Sequence, residues 1–307
     1  MTKEIKNIII CGLGAIGTAI GERILENTKD SLFVLVDKNR YERYIKNPRT
    51  FNNKTLNFKY ITPDNTDIKA DLVIIAVKEQ NLDEVIENLK NFVTDTTTII
   101  SLINGITSEE TLGKTFNSNQ ILPAYYIGSS AVRIDNQVIH GGRATIVFGA
   151  KDEFSRDRVA PIEDFFTKAN INYKIPTDIT RALWTKFMLN VACNQISAIL
   201  GLNFHQMHTS SSFKELATNV MKEVELCAKA EGIKNTETMI EEVFEHIQTI
   251  TPEGKTSMLQ DIEANRETEV ETFAGTVIKH GLKHNIPTPY NNALKLMIKT
   301  ISEKALL

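Results

Sequence analysis

The chain of 307 residues is poor in several features that mark common protein classes. Its three cysteines, Cys11, Cys193 and Cys227, are widely spaced and odd in number, which excludes a disulfide framework and a cysteine zinc pattern. No apolar run approaches the roughly 18 residues that a membrane span requires. The charges nearly cancel, 35 basic against 38 acidic residues for a formal net charge of -3, and basic pairs are interleaved with acids. Neither nucleic acid nor an anionic membrane is therefore an expected partner. The six histidines (140, 205, 208, 246, 280 and 284) lack metal-ligand spacing. His280 and His284 are four apart, but no third ligand stands near them in sequence, so no metal is expected. The charged start, Met1 to Lys6, leads only into the brief apolar stretch Ile8–Ile10, too short for a signal-peptide core. A cytoplasmic location is the expectation.

A hydrophobic content of 42% and a charged content of 24% suit a globular chain long enough for two domains. The first half alternates short apolar runs with amphipathic stretches. Asn7–Cys11, Leu32–Val36, Leu72–Val77 and Thr98–Leu102 are rich in Ile and Val without polar alternation, as strands buried on both faces are. Thr18–Glu26 and Leu82–Phe92 read as helices between them, which predicts a parallel sheet with right-handed crossovers. Tyr41–Asp67, rich in Asn, Lys and Thr, reads as a loop with minor strands. Ile121–Ile127 and Arg143–Phe148 are further strand candidates, and Gly141-Gly142 suggests a hairpin that extends the sheet. The texture changes near Pro176. Helical periodicities follow over Arg181–Leu200, Ser212–Ala230, Thr236–Ile250, Met258–Asn265, Arg266–His284 and Asn291–Leu307. The expected layout is an α/β Rossmann-type N-terminal domain with a parallel sheet over residues 1–176, then an all-α substrate domain over 177–307, with a cleft between them.

The first chemistry-bearing motif is Gly12-Leu13-Gly14-Ala15-Ile16-Gly17, placed after a strand and at the start of a helix. In such a loop the first glycine permits the turn, the second lets a pyrophosphate approach the backbone, and the third lets helix and strand pack closely. The anion then rests on the helix N-terminus. This context, and not the glycines alone, points to a dinucleotide. Asp37 lies 20 residues after Gly17, where a carboxylate accepts hydrogen bonds from the adenosine ribose and disfavours a 2′-phosphate. Lys38, Arg40 and Arg43 follow at once and could bind that phosphate. Spacing leaves NAD and NADP both open.

In the second half, Leu183 to Asn194 is apolar almost all round, yet Lys186, Asn190 and Asn194 interrupt it at intervals of four. Each step of four turns an α-helix by about 400°, so the three side chains form one slowly drifting stripe. A buried ammonium and two buried amides are costly unless they meet partners or a ligand, and a stripe facing a polar cleft meets that need. Burial lowers a lysine pKa, which makes proton donation feasible near neutral pH. Such a lysine can polarise a carbonyl, and the amides can hold a substrate oxygen. Trp184 reads as a packing anchor.

These features, with Val77-Lys78, Asn104-Gly105 and Ser257-Met258-x-Gln260-Asp261 ahead of Thr268-Glu269, make an ordered set spanning nearly the whole chain. On them the chain resembles the ketopantoate reductase (2-dehydropantoate 2-reductase) family. The resemblance implies transfer of a hydride from NADPH to the 2-oxo carbon of ketopantoate, giving pantoate for pantothenate and coenzyme A synthesis. Lys186 matches the catalytic lysine that protonates the new alkoxide. Asn190, Asn194 and Ser257 match substrate-binding positions, and Asn104 the residue near both nicotinamide and substrate. Lys78 and Ala131 match cofactor contacts, and Lys38 is kept as a cofactor-binding residue on its place beside Asp37. Glu269 matches an acidic residue that orders the ternary site and touches the cofactor. Asp37-Lys38 stands where some relatives carry an arginine for the 2′-phosphate, so NAD is kept beside NADP. Asn203 lies near the register of a further substrate asparagine. The alternatives are a reductase of the same family acting on another branched 2-oxo acid, and a dinucleotide sensor without chemistry. The long C-terminal helices offer a surface for a homodimer.

Overall fold

The structure is a computed structural model that describes residues 4–128, 130–141 and 144–304; the side chains of 130–134 and 140 lie outside that description. The chain divides into two compact units, Met1–Ile179 and Thr180–Leu307.

The first unit is built on a six-stranded sheet, all of whose pairings are parallel. Its strands are β1 (Asn7–Cys11), β2 (Ser31–Leu35), β5 (Lys59–Ile61), β6 (Leu72–Ile75), β7 (Thr98–Ser101) and β8 (Ile121–Leu122), in the order β5-β2-β1-β6-β7-β8. Along β1, Ile8 and Ile10 enter one core while Ile9 and Cys11 enter the other. Leu72 and Ile74 of β6 likewise oppose Val73 and Ile75. Both faces are therefore covered, which is why the strands read as unbroken apolar runs. The helices α1 (Ala15–Asn27), α2 (Lys38–Lys46), α3 (Leu82–Leu89), α4 (Ser108–Gly113) and α5 (Val159–Lys168) belong to this unit.

Two small sheets complete the unit. One has the order β10-β11-β3-β4, formed by β3 (Thr50–Phe51), β4 (Lys54–Thr55), β10 (Ser130–Ile134) and β11 (Gln137–Gly141). The other is β13-β12-β9, from β9 (Ala124–Ile127), β12 (Thr145–Phe148) and β13 (Tyr173–Lys174). Three expectations are corrected here. The expected strand Ile121–Ile127 is split at Pro123, which has no N–H for a ladder, so β8 joins the parallel sheet and β9 leaves it. The hairpin turns at Asp135-Asn136, between antiparallel β10 and β11, and does not extend the main sheet; Asp135 adopts a φ of 51°. Gly142 and Arg143 lie outside the described residues. The supposed loop after Tyr41 is preceded and entered by α2, in which only Tyr44 is buried. A helix with a single buried side chain leaves no apolar period to read.

The second unit contains no strand among the described residues. Its helices are α6 (Ile179–Leu189), α7 (Gln195–Leu200), α8 (Phe204–Thr209), α9 (Ser211–Ala230), α10 (Met239–Thr249), α11 (Ser257–Glu263), α12 (Thr276–His284) and α13 (Pro289–Lys304). Two π-turns interrupt this series, Asn190–Asn194 and Glu271–Gly275, and they touch each other. The predicted continuous helix Arg181–Leu200 is thus α6, a π-turn and α7. Residues 266–269, expected to be helical, precede the second π-turn without helical structure. The buried Glu223 of α9 fixes α13, accepting hydrogen bonds from the Tyr290 and Asn291 backbone N–H groups at 2.8 and 3.0 Å and from Asn291 Nδ2 at 2.8 Å. A carboxylate at a helix N-terminus is stabilised by the unpaired donors there. No described helix is long and apolar enough to cross a membrane.

Candidate active site

In the first unit the candidate residues collect at the carboxyl ends of the parallel strands. The chain runs outward from β1 through β2 to β5, then returns to the other side of β1 and continues through β6, β7 and β8. The strand order thus reverses between β1 and β6, the position at which such sheets receive ligands. Gly12–Gly17 leaves β1 at that point. Gly12 has a φ of 100°, and a Cβ there would lie 2.5 Å from Ala76 O. A Cβ on Gly17 would lie 1.9 Å from Gly12 O. The fold itself therefore demands both glycines. Gly14 differs: it caps α1 with an ordinary φ of -72°, and its Cβ would meet nothing nearer than Ala76 O at 4.0 Å. Among the described residues nothing requires a glycine there, whereas a phosphate approaching the helix N-terminus would. Leu13 is buried, while Ala15 and Ile16 at the head of α1 are half-buried.

Past β2, Asp37 acts as the N-cap of α2. Its Oδ1 accepts from Arg40 N at 2.7 Å and its Oδ2 pairs with Arg40 Nη1 at 2.9 Å. Arg40 also lies 3.7 Å from Glu84. Asp37, Lys38, Asn39, Arg40, Arg43 and Glu84 line an open cavity of about 650 Å³. Lys78 follows β6 and caps the short turn Glu79–Asn81 in an extended conformation. Asn104 follows β7, and Gly105 after it adopts a φ of 109°, which explains the Asn-Gly pair. Thr107 donates a hydrogen bond to Glu79, tying these two loops together. Ala131 sits in β10, and its side chain lies outside the described residues. One titratable group here was silent in sequence: Glu109 of α4, whose carboxyl burial pushes up to about 7.

In the second unit Lys186 projects from the last turn of α6. It retains partial exposure, yet the surrounding protein holds its pKa down to about 8 by desolvation. Cys193 is close enough to act on it, and the buried Cys193 thiol is itself pushed up to about 12. Asn190 and Asn194 begin and end the π-turn, and both are buried. Four steps of an α-helix overshoot a full revolution by about 40°. A π-turn closes with i→i+5 bonds and holds more residues per revolution, so the step from Asn190 to Asn194 opposes the drift of the step before it. The stripe is straighter than an unbroken helix would make it.

Asn194 Nδ2 donates to Ser257 Oγ at 3.3 Å. Thr256 caps α11 from the preceding position and is anchored to Ser197 of α7, their hydroxyls 2.6 Å apart. Ser197 in turn donates to Asn194 O at 3.1 Å. A buried hydroxyl chain thus sets the exposed Ser257 against Asn194. Arg266 closes the end of α11 on the buried Asp261, Nε to Oδ1 at 2.7 Å. Glu269 is half-buried just before the second π-turn, and its carbonyl accepts from Phe273 N at 3.1 Å. Glu271 pairs with Lys295 and Lys299 at 2.7 and 2.6 Å. Asn203 spends its carboxamide as the cap of α8, accepting from Gln206 N at 2.9 Å. Trp184 is buried edge-on to Phe187 and His280, at ring separations of 5.9 and 5.4 Å.

His246 of α10, which spacing set aside as a metal ligand, stands near Lys186. Burial and the nearby Lys186 charge both lower its pKa. The anchor is a two-pronged ion pair, Arg181 of α6 to Glu242 of α10, with nitrogen to oxygen distances of 3.0 and 2.5 Å. It holds α10 beside α6, and Lys186 and His246 lie a turn or so further along the two helices. No sequence period links helices so far apart in the chain.

With this geometry in hand, two family models match the chain. "Ketopantoate reductase PanE/ApbA" covers residues 8–153 and "Ketopantoate reductase PanE/ApbA C terminal" covers 178–302. The chain belongs to the ketopantoate reductase family. It is an oxidoreductase of that family, at low identity to individual members. The 2-dehydropantoate 2-reductase of Pyrococcus horikoshii is 26% identical over 295 residues, covering 95% of this chain and 96% of that protein. Among solved structures, a ternary complex of D-mandelate dehydrogenase with NADH and anilino(oxo)acetate superposes with a TM-score of 0.87 at 19% identity, covering 97% of this chain and 98% of the other. A dimeric ketopantoate reductase from Staphylococcus aureus gives a TM-score of 0.76 at 22% identity, covering 97% and 99%. At such identities these structures bear on the fold alone.

Proposed function

We propose that this ketopantoate reductase family member reduces 2-dehydropantoate to (R)-pantoate with NADPH, for pantothenate and coenzyme A synthesis in the cytoplasm. The observation that carries the reading is Lys186, a half-buried ammonium with its pKa near 8 on the same helical line as two buried amides. At neutral pH such a lysine is protonated yet poised to give its proton away. Its role is to polarise the 2-oxo group and then protonate the alkoxide oxygen. Asn190, Asn194 and Ser257 orient the substrate's polar groups, Asn104 takes the role of the residue that serves both nicotinamide and substrate, and Glu269 that of an ordering carboxylate. Gly12–Gly17, Lys38 and Lys78, with Ala131, hold the dinucleotide, which supplies the hydride when bound. The free space at Gly14 fits a pyrophosphate. Lys38 and Arg43 are the cations for a 2′-phosphate, since Arg40 already neutralises Asp37. The protein works as a homodimer, like its S. aureus relative.

A second reading has its own support. Asp37 ends β2 where a carboxylate suits NAD, and a close structural neighbour is an NADH-bound D-mandelate dehydrogenase. On that reading the chain reduces another 2-oxo acid with NADH. Steady-state rates with NADPH and NADH, each against ketopantoate and a panel of straight-chain and aryl 2-oxo acids, separate the two. A kcat/KM for ketopantoate no better than for its straight-chain analogues would overturn the first.

A further inference from the structure

Glu231, His280 and His284 stand apart from everything assigned above. Glu231 is the residue at the carboxyl end of α9. His280 and His284 lie four apart on α12, so both rings project from one face. His280 Nδ1 and His284 Nε2 each lie 2.7 Å from the same oxygen of Glu231, Oε1. One ligand atom from each of the three residues falls within 4.8 Å of the others. All three are only partly exposed.

We propose that Glu231, His280 and His284 bind one divalent first-row transition ion, zinc foremost, which clamps the end of α9 to α12. Two imidazoles and one carboxylate make a donor set suited to such an ion, and paired histidines four apart on a helix present it on one side. Three protein ligands leave a fourth position for water. Ligand atoms around a tetrahedral ion at about 2.0–2.2 Å sit roughly 3.3 Å from one another. Withdrawing the carboxylate by about half an ångström makes that room. Lys283 Nζ now lies 2.7 and 2.9 Å from the two carboxylate oxygens of Glu231. It competes with the ion for that carboxylate, and its side chain is exposed to solvent. In the bound state each imidazole presents the nitrogen that faces Glu231 as the ligand lone pair and carries its proton on the other nitrogen.

Trp184, the only tryptophan in the chain, reports on this site because its ring meets the His280 ring edgewise with centroids 5.4 Å apart. The test uses tag-free, chelator-treated full-length protein titrated with Zn²⁺ by calorimetry and with Co²⁺ by Trp184 fluorescence. Zinc should bind one ion per chain with a micromolar or tighter dissociation constant. Cobalt should quench Trp184 in a saturable manner and develop visible bands of a low-coordinate nitrogen–oxygen site. His284→Ala and Glu231→Ala should each weaken binding at least tenfold while far-UV circular dichroism stays unchanged. Lys283→Ala should tighten it several-fold by removing the competing ammonium. His205→Ala should leave it unchanged. At a hundred times the dissociation constant, zinc should raise Tm by roughly 5 °C in the wild type and not in folded His284→Ala. Sub-stoichiometric binding, quenching that never saturates, or equal affinity in His284→Ala would overturn the proposal. So would weaker zinc binding in Lys283→Ala, which would make the cluster an ion-pair clasp.

Discussion

The two units present polar groups by opposite means. The first offers backbone: a glycine loop and a helix N-terminus at the point where a parallel sheet reverses its strand order. The second offers side chains: an ammonium, amides and a hydroxyl, held by a π-turn and a buried hydroxyl chain. Backbone donors cost nothing to keep unpaired at a helix end facing solvent. Side chains such as Lys186, Asn190 and Asn194 must be desolvated to be aimed. The second unit is therefore where stability is given up, and where substitutions should trade stability against chemistry.

That contrast can be broken most directly at Lys186. Lys186→Met should lower kcat by at least about a hundredfold, the worth of a general acid, with dinucleotide affinity within a few-fold of wild type. It should leave Tm equal or higher, because a desolvated ammonium has been removed. Retained activity would end the proposed role. The same group sets a pH dependence. Its pKa is lowered to about 8, so the proton donor is present below that value and lost as pH rises through it. The kcat for reduction should then fall about tenfold per pH unit well above 8, and a plateau to pH 10 would assign the proton elsewhere.

The next effect belongs to the backbone side. Gly14→Ala should fold with unchanged Tm yet bind dinucleotide at least about tenfold more weakly by equilibrium titration, because its methyl meets only the ligand. Gly17→Ala should instead fail on stability, since its methyl strikes Gly12 O. Equal behaviour of the two variants would contradict the distinction. A smaller effect is expected at the hydrogen bond between Asn194 and Ser257. Ser257→Ala and Asn194→Ala should each raise KM by roughly tenfold, and a double-mutant cycle should show coupling of about 1 kcal/mol. The mildest is Asp37→Asn, which keeps the N-cap of α2 and removes its charge. The ratio of kcat/KM for NADPH over NADH should rise several-fold. A fall would show that Asp37 does not discriminate at the ribose.

What was legible in the chain followed its locality. Gly12–Gly17 is contiguous, and the strands β1, β2, β6 and β7 announce themselves because both faces of the sheet are covered. The spacing of Lys186, Asn190 and Asn194 carried through, although the π-turn between the last two did not show. An i→i+5 closure depends on packing against the second π-turn and α9, which no local period encodes. α2 escaped notice because Tyr44 is its sole buried side chain. The hairpin was misplaced because Gly-Gly is a strong turn signal, while Asp135-Asn136 turned instead.

By itself the sequence determined the strands β1, β2, β6 and β7 and their parallel sheet, the glycine loop and the four-residue spacing of Lys186, Asn190 and Asn194. These depend on residue type at short spacing, where backbone geometry and apolar period act. Only the tertiary structure decided that Ser257 meets Asn194, that His246 stands near Lys186, and that Glu231 joins His280 and His284. Such encounters bring together side chains from helices distant along the chain. Their partners are chosen by burial and by the cost of leaving a desolvated polar group unpaired, terms that exist only once the chain has folded.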